Sequence, residues 1–543
     1  MHRYPDEILR SFSTLDHIRT RFSPEPNGKL HIGDVKAMEI DFGLRDYAKS
    51  INKTAECYLR FDDTNPTKEN QDFIDGILED LKWLNYVPDK ITYTSDYFDQ
   101  LYEYAIKLIL MGHCYVCGLS EYDIKRYREF KKTSPFRNAT IEDNLEKFEN
   151  MKTGIYVANS YTLRMKGDLN DPDSCMWDPI FYRIMHVKHH RTGNKWCIYP
   201  TYDFSHCIVD SLENITHSLC TTEFISRRKS YFWLLEKLDL KKPIVYEFGK
   251  LNVTQNILSK RKIAALIDSK IVEDWDDPRL LTVCGLKRRG YVPEAIRRFC
   301  YETGVTKTDA TLEYTKLEQC GRTVLEYIAP RRFALLDPLK IVFQVDNISN
   351  IFDDPAHNDP TLFDYPIHSR EILSGKIESV PLKRRNTRVM KITPTIFIER
   401  NDFRIEDSKD FYGLSPNKIV RLKYSGFVKC VGYYEEYGRI EQVYVVPIIP
   451  DKPKAIKGIL NWLNNQAKDA EFRIYQPLLN ESGEINEMSL TTLYGRIEPS
   501  MGEDLDDDTT YQFERLGYFK IDPSSIDEES LIYNQTMPQK SSY

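Results

Sequence analysis

The chain has 543 residues, 41% hydrophobic and 29% charged, which is the balance of a folded protein; it is too long for one ordinary core, so roughly three to five domains are expected. Its 75 basic and 82 acidic residues give a net charge of −7, which excludes nucleic-acid binding through overall basicity but leaves a local basic face open. No apolar run approaches the roughly 20 residues of a membrane helix, the first residues (MHRYPDEILRSFSTLD) lack a secretory apolar core, and eleven irregularly spaced cysteines make no disulfide framework. A reducing, cytoplasmic setting without a membrane partner is expected.

In chain order, His17 to Phe22 reads as a strand that runs into the loop SPEPNG and then a helix with Val35, Met38 and Phe42 on one face. Glu56 to Phe61 reads as a second strand ending in DDTNP, followed by a helix with Phe73, Ile77, Leu81 and Leu84 at spacings of three and four. Strand, helix, strand, helix is the order of a doubly wound parallel sheet, whose ligands sit at the carboxyl ends of strands, where both polar loops fall. From about 99 to 195 the pattern is mixed and more basic (Lys125, Arg126, Arg128, Lys131, Lys132, Arg137) and reads as an insertion between two halves of the sheet. Trp196 to Phe204 reads as a return to buried strand, and 263–330 as a helical, basic region with a helix opening at Pro293.

After Pro330, short alternating segments (Thr395 to Glu399, Ile419 to Val431, Gln442 to Ile449, Phe472 to Tyr475) predict two antiparallel barrels over 331–543, the distal one at roughly 440–510. Asp346 to Ser369 is expected to be a long loop, and GEDLDDD, Gly502 to Asp508, a solvated acidic one.

Two motifs carry chemistry. In RFSPEPNGKLHIGD, Arg21 to Asp34, Gly33 would admit a phosphate to the backbone at a helix N-terminus, and His31 could donate to a phosphate oxygen as charge builds there. In NILSKRK, Asn256 to Lys262, cations beside a serine on a flexible loop could clamp a triphosphate. Either alone reads as an ordinary loop, and the pair, in this order and at this separation, changes that.

The pair resembles the HIGH and KMSKS signatures of class I aminoacyl-tRNA synthetases. The text around it (PEPNG, LRFDDTNPTKEN, SPFR, TGNKWCIYPTYDFSHCIVDSLENITHSLCTTEF, WDDPRLLTVCGLKRRGY) is similar to the glutaminyl members, from about Phe22 to Asp522. RRKSYFWLLEKLDL looks eukaryotic, although this chain starts without the appended N-terminal domain usual there. The resemblance implies a class I α/β plus all-β fold: Rossmann halves at 1–98 and 196–262, an acceptor-stem-binding insertion at 99–195, a helical subdomain at 263–330 and two anticodon-binding β-barrels at 331–543. It also implies activation of L-glutamine by ATP, with Mg²⁺ carried on the nucleotide, and transfer to glutamine tRNA by a monomer, with no DNA partner and no structural metal.

Carried over residue by residue, Asp62 would pair with the glutamine ammonium, and Tyr202 and Arg21 would place the side-chain amide. The glutamyl enzymes of this subclass carry Arg where this chain has Cys220, and a neutral thiol suits a carboxamide. Glu25, Pro26, Asn27 and the run His31, Ile32, Gly33, Asp34, Val35, Lys36, Ala37 would line the ATP site. Thr221, Lys250 and Leu251 would flank the adenosine and Leu258, Ser259 and Lys260 the phosphates, with His31, Asp34 and Lys260 as catalytic residues. Arg331, Arg421, Lys423, Gln512 and Arg515 would contact the anticodon, since planar multi-donor groups read splayed-out bases.

Four positions depart from the pattern. Asp34 replaces the second signature His: it either repels the phosphates, by roughly 4 kcal/mol for charges about 4 Å apart, or caps the helix or touches Mg²⁺. Val245 stands where a Gln is usual, Lys250 where an Arg is, and Ser226 where bacterial members carry an acid. A tRNA-binding protein without catalysis and a glutamyl or dual-specificity ligase are the alternative readings. His113, Cys114 and Cys117 lack a second Cys/His pair for zinc, and Asp203, Ser205 and His206, read on a strand, would not converge as a hydrolase triad.

Overall fold

The computed structural model describes residues 4–344, 368–373, 376–381, 390–502, 508–526 and 531–539. It divides into two compact units, one made of Met1–Thr254, Leu258–Asp268 and Arg297–Glu313, the other of Gln255–Ile257, Ser269–Ile296 and Tyr314–Tyr543. Among the described residues no helix is long and apolar enough to cross a membrane.

In the first unit the strands His17–Phe22, Thr54–Phe61 and Lys90–Tyr93 form a parallel sheet in that order. A second parallel pair, His217–Thr221 with Ile244–Phe248, lies beside the first strand, tied by Thr216 N–H to Arg19 O at 2.9 Å. Thr54–Phe61 is buried on both faces toward its end, as a parallel strand covered by helices must be. Helix Ile32–Ser50 connects the first two strands, and Ile40, Leu44 and Ala48 pack against Ile18, Ala55, Leu219 and Phe248. Helix Gln71–Trp83 is capped by the Asn70 side chain, which accepts from Phe73 N–H at 2.9 Å; it buries Ile74, Ile77 and Leu81, with Phe73 left at the margin. The parallel pairing places SPEPNG and DDTNP at the carboxyl ends of neighbouring strands, as the alternation predicts.

The insertion holds a four-stranded antiparallel sheet, Cys114–Cys117, Thr162–Met165, Ile180–Ile184 and Ile198–Pro200. The segment expected as one strand at 196–204 is therefore corrected. Its strand is three residues long and belongs to the insertion sheet, and helix Tyr202–Leu212 starts immediately after it. Asp203, Ser205 and His206 thus lie on a helix. One continuous core contains Phe98, Phe181 and Tyr182 together with Phe204, Ile208 and Leu234, so no gap in packing marks residue 195.

The second unit contains helices Val283–Arg289 and Tyr314–Ile328 and two seven-stranded barrel-like sheets. One sheet gathers Arg331–Arg332, Ala334–Leu335, Lys468–Tyr475, Leu490–Ile497, Thr510–Phe513, Gly517–Ile521 and Leu531–Pro538; the other gathers Pro338–Phe343, Thr395–Glu399, Ile419–Leu422, Phe427–Glu436, Arg439–Ile448, Ile459–Leu460 and Leu463–Asn464. Two expectations are corrected. The sheets are mixed, because returning segments add parallel pairs such as Lys340 to Gln442 and Ala470 to Leu531. The stretch 440–510 is also divided between them: Val443 and Val445 point into the core of Leu339 and Ile341, whereas Phe472 packs with Phe513 and Phe519. Of the expected long loop, His368 and Ser369 begin strand His368–Leu373 and the rest lies outside the described residues, as does most of the acidic run after Gly502.

Candidate active site

The two loops at the strand ends touch: Asp62 N–H donates to Pro24 O at 3.0 Å. His31 is the N-cap of helix Ile32–Ser50. Its Nδ1 accepts from Asp34 N–H at 3.2 Å while the Asp34 carboxylate accepts from His31 N–H at 2.9 Å, a reciprocal capping box. The same Nδ1 lies 3.1 Å from the Asp34 carboxylate, so Nε2 is the ring nitrogen that the cap does not use. The capping reading of Asp34 is thus the one the structure displays. At Gly33 an added Cβ would lie 3.0 Å from His31 Cε1, so the main chain is open only because no side chain is there. Ile32 and Val35 are fully buried and Ala37 packs on the core, which leaves these positions only main chain to offer a ligand. Lys36 is corrected: it is buried, and its ammonium donates to Gly249 O at 2.6 Å.

NILSKRK lies 235 positions from SPEPNG and meets it: the Lys260 ammonium donates to Glu25 O at 3.3 Å. The expected flexible loop is confined to Asn256 to Ser259, since Lys260, Arg261 and Lys262 form the first turn of helix Lys260–Asp268 and Ser259 O accepts from Ile263 N–H. Three cations at the positive end of a helix repel its dipole and are favourable only beside an anion. Ser259 is exposed and Leu258 half-buried. Thr221 ends the strand His217–Thr221; Leu251 is buried on Leu251–Val253; and the Lys250 ammonium pairs with Glu223 while its N–H donates to Asp309 at 2.8 Å.

The residues expected to take the amino acid lie near one another. Cys220, Arg21 and Asp62 all lie close enough to act on the Tyr202 hydroxyl, whose ring stacks on His206 at 4.5 Å and Phe224 at 5.0 Å. Burial pushes the Cys220 thiol up to about 12 despite nearby Arg21, so it is neutral at physiological pH. Burial likewise raises Asp62 to about 6, against the pull of Arg60, and its Oδ1 is shielded from solvent without a hydrogen-bond partner.

Arg21 differs from expectation. Its Nε donates to Asp210 at 3.0 Å, one Nη to Leu219 O, and the other to Ser218 Oγ and His206 Nε2, which commits four of its five N–H groups. Sequence reasoning missed the network behind it. Asp210 accepts from Arg21, Arg60, Ser218 and Tyr231, and Arg60 also donates to Glu213 at 3.0 Å. Arg21 and Arg60 together hold the Asp210 carboxyl far below the usual range, although burial opposes them. The available signal was two arginines inside buried strands, which require buried acids, with His206, Asp210 and Glu213 spaced along one helix face.

In the second unit Arg331 and Gln512 face each other on paired strands, with Arg331 Nε donating to Gln512 at 3.1 Å. Arg421 Nε is shielded and without a partner. Lys423 is paired with Glu514, and Arg515 forms a bidentate pair with Asp402 at 2.6 and 2.7 Å, so these two cations are already neutralised.

Residues 17–327 match the tRNA synthetases class I (E and Q) catalytic domain, and residues 329–447 and 459–522 match the anti-codon binding domain of the same family. The chain belongs to the class I tRNA synthetases of the E and Q group. It is 43% identical over 536 residues to a probable glutamine–tRNA ligase of Dictyostelium discoideum, covering 96% of this chain and 65% of that protein. It is 40% identical to the cytoplasmic glutamine–tRNA ligase of Arabidopsis thaliana, covering 97% of this chain and 65% of that protein. A glutamine–tRNA ligase of Clostridium perfringens is 40% identical, with 97% of this chain and 95% of that protein covered. The chain thus spans about two thirds of the first two relatives and nearly all of the third. Within this family's catalytic domain, the two signature segments are in contact and the Cys220 thiol is neutral.

Proposed function

We propose that this chain is a glutamine–tRNA ligase acting in the cytoplasm, with L-glutamine, ATP and glutamine tRNA as substrates and Mg²⁺ arriving on the nucleotide. The observation that carries the choice of amino acid is the pocket chemistry: Cys220 is neutral, and the nearest cation, Arg21, is committed to Asp210. A buried carboxylate would find no free partner there, whereas a carboxamide exchanges hydrogen bonds with Tyr202 at little cost.

In this reading Asp62 binds the α-ammonium, and the glutamine carboxylate attacks the α-phosphorus of ATP in line, releasing pyrophosphate. The main chain at Gly33, the His31 Nε2–H and the Lys260 ammonium stabilise the charge that builds on the phosphates. The 2′-OH of the terminal tRNA adenosine then attacks the adenylate carbonyl and AMP leaves. Catalysis rests on position and charge, with no covalent enzyme intermediate. Glu25, Pro26 and Asn27 flank the nucleotide, Lys36 fixes the floor of its site through Gly249, the insertion takes the acceptor end, and Arg331, Gln512 and Arg421 are the foremost anticodon contacts.

The test is Cys220→Arg. Charging of glutamine tRNA with glutamine should fall at least about tenfold and the relative use of glutamate should rise. Unchanged selection would remove Cys220 from the pocket.

A further inference from the structure

Asp63, His189 and His190 bring one potential ligand atom each within 4.8 Å of one another, the one such group among the described residues. It is not built to hold an ion. His189 Nδ1 accepts from Arg191 N–H at 3.1 Å and Thr192 N–H at 3.2 Å, which places the ring proton on Nε2, and that proton is donated to Asp63 O at 2.8 Å. Both Asp63 carboxylate oxygens are also taken, one by Ser95 N–H at 2.8 Å and the other by the Ser95 hydroxyl at 2.6 Å. With Nδ1 accepting and Nε2 donating, His189 keeps no lone pair for a shared metal, and Asp63 with His190 alone falls short of the four ligands of a structural site.

What the cluster does hold is the main chain next to Asp62. The Asp62 N–H is pinned to Pro24 O at 3.0 Å, and the carbonyl of the next residue is pinned by His189. The same short helix that binds Asp63 through Ser95 also supplies Thr94, close enough to lower the pKa of the Asp62 carboxyl against its burial. Ser95 is itself locked by Arg191, which donates to its hydroxyl at 2.9 Å, pairs with Asp96 at 2.6 Å and covers the Tyr93 ring at 3.7 Å. His189 sits in a turn closed by reciprocal hydrogen bonds with Gly193 at 3.0 Å and is fully buried against Phe98 and Tyr199. The brace therefore runs from the insertion to the strand end that carries the candidate ammonium-binding carboxylate.

We infer that Asp63 and His189 are positioning residues that aim the Asp62 carboxylate at the ammonium group of the amino-acid substrate. The inference rests on the proposed glutamine-binding role of Asp62 and extends it to groups that touch no substrate. A one-ångström misplacement of such a carboxylate weakens the ammonium contact without touching the nucleotide.

The experiment measures aminoacylation of glutamine tRNA in the full chain, varying glutamine and ATP, with glutaramate (glutamine without its ammonium group) as a competitive inhibitor. In His189→Leu the KM for glutamine should rise about tenfold, while the KM for ATP and the inhibition constant of glutaramate stay within about twofold. His189→Gln, whose Nε2 still donates, should restore the natural KM; Ser95→Ala should shift the glutamine KM in the same direction as His189→Leu and carries the test if that variant does not fold. If the natural chain charges glutamine but the variants shift all three constants alike, or none, the inference falls and the Asp62 reading stands. If the natural chain charges no glutamine, the reading falls and the inference falls with it.

Discussion

Asp34 and Asp62 are both acids in the motif segments, and their surroundings treat them differently. Asp34 spends its carboxylate on His31 N–H, so its replacement is a question of helix capping. Asp34→Ala should cost about 1 kcal/mol in urea unfolding, and Asp34→Asn, which still accepts, about half that or less. Asp62 keeps an unpartnered oxygen and is raised to about 6 by burial. Because only its ionised form attracts an ammonium, the KM for glutamine should climb as pH falls through about 6, while the KM for ATP does not follow it. Asp62→Asn should flatten that profile at a uniformly high KM, and a profile identical to the natural one would exclude Asp62 as the titrating group. At this scale the sequence was legible where two motifs meet, as where the Lys260 ammonium reaches Glu25 O. It was not legible for Lys36 and Arg21, whose charges are satisfied by Gly249 O and Asp210, groups 213 and 189 positions away.

At the scale of elements, the alternating strands and the helices with apolar spacing at three and four were readable because burial alone sets those periods. The start of helix Lys260–Asp268 was not, since three adjacent cations are poor helix openers, and the serine before them reads equally well as loop or cap. The barrel strands show the same limit: alternation marks Ile419 to Val431 as one segment, whereas a turn divides it into Ile419–Leu422 and the start of Phe427–Glu436, which pair with each other, and the parallel partner of the first, Ile459–Leu460, lies far along the chain. One element carries a sharp stability prediction. Helix Val283–Arg289 ends at Gly290 with φ 106°, where an added Cβ would lie 2.3 Å from Thr536 Oγ1 and 2.7 Å from Lys520 Cβ. Gly290→Ala should therefore destabilise the second unit by at least about 2 kcal/mol in urea unfolding, with little change in ATP binding. A loss below about 0.5 kcal/mol would show that the close approach relaxes freely.

For the whole molecule, the order of parts was legible because each motif string occupies the position the family pattern gives it, and both the catalytic and the anti-codon binding matches follow that order. The seam between helical region and barrels was not. Helix Val283–Arg289 belongs to the same compact unit as the sheets: Arg289 is buried and donates to Gln535 O and Tyr475 O, Arg288 pairs with Asp522 at 2.9 Å, and Thr510 donates to Gly290 O. Cutting the chain near residue 335 should strip these partners, leave the Arg289 charge with Pro278 O alone of its three carbonyls, and give a fragment that aggregates or loses the cooperative unfolding of the full chain. A well-folded fragment would place the seam after the helices instead. The central claim, a glutamine-specific ligase whose Asp34 is a harmless cap, is tested most directly by charging glutamine tRNA with labelled glutamine or glutamate, comparing the natural chain with Asp34→His. The account predicts brisk charging by the natural chain, glutamine favoured over glutamate by at least about a hundredfold, and a gain of no more than a few fold from the histidine. A natural chain that binds the tRNA but charges it only as Asp34→His would contradict the account, as would one that prefers glutamate.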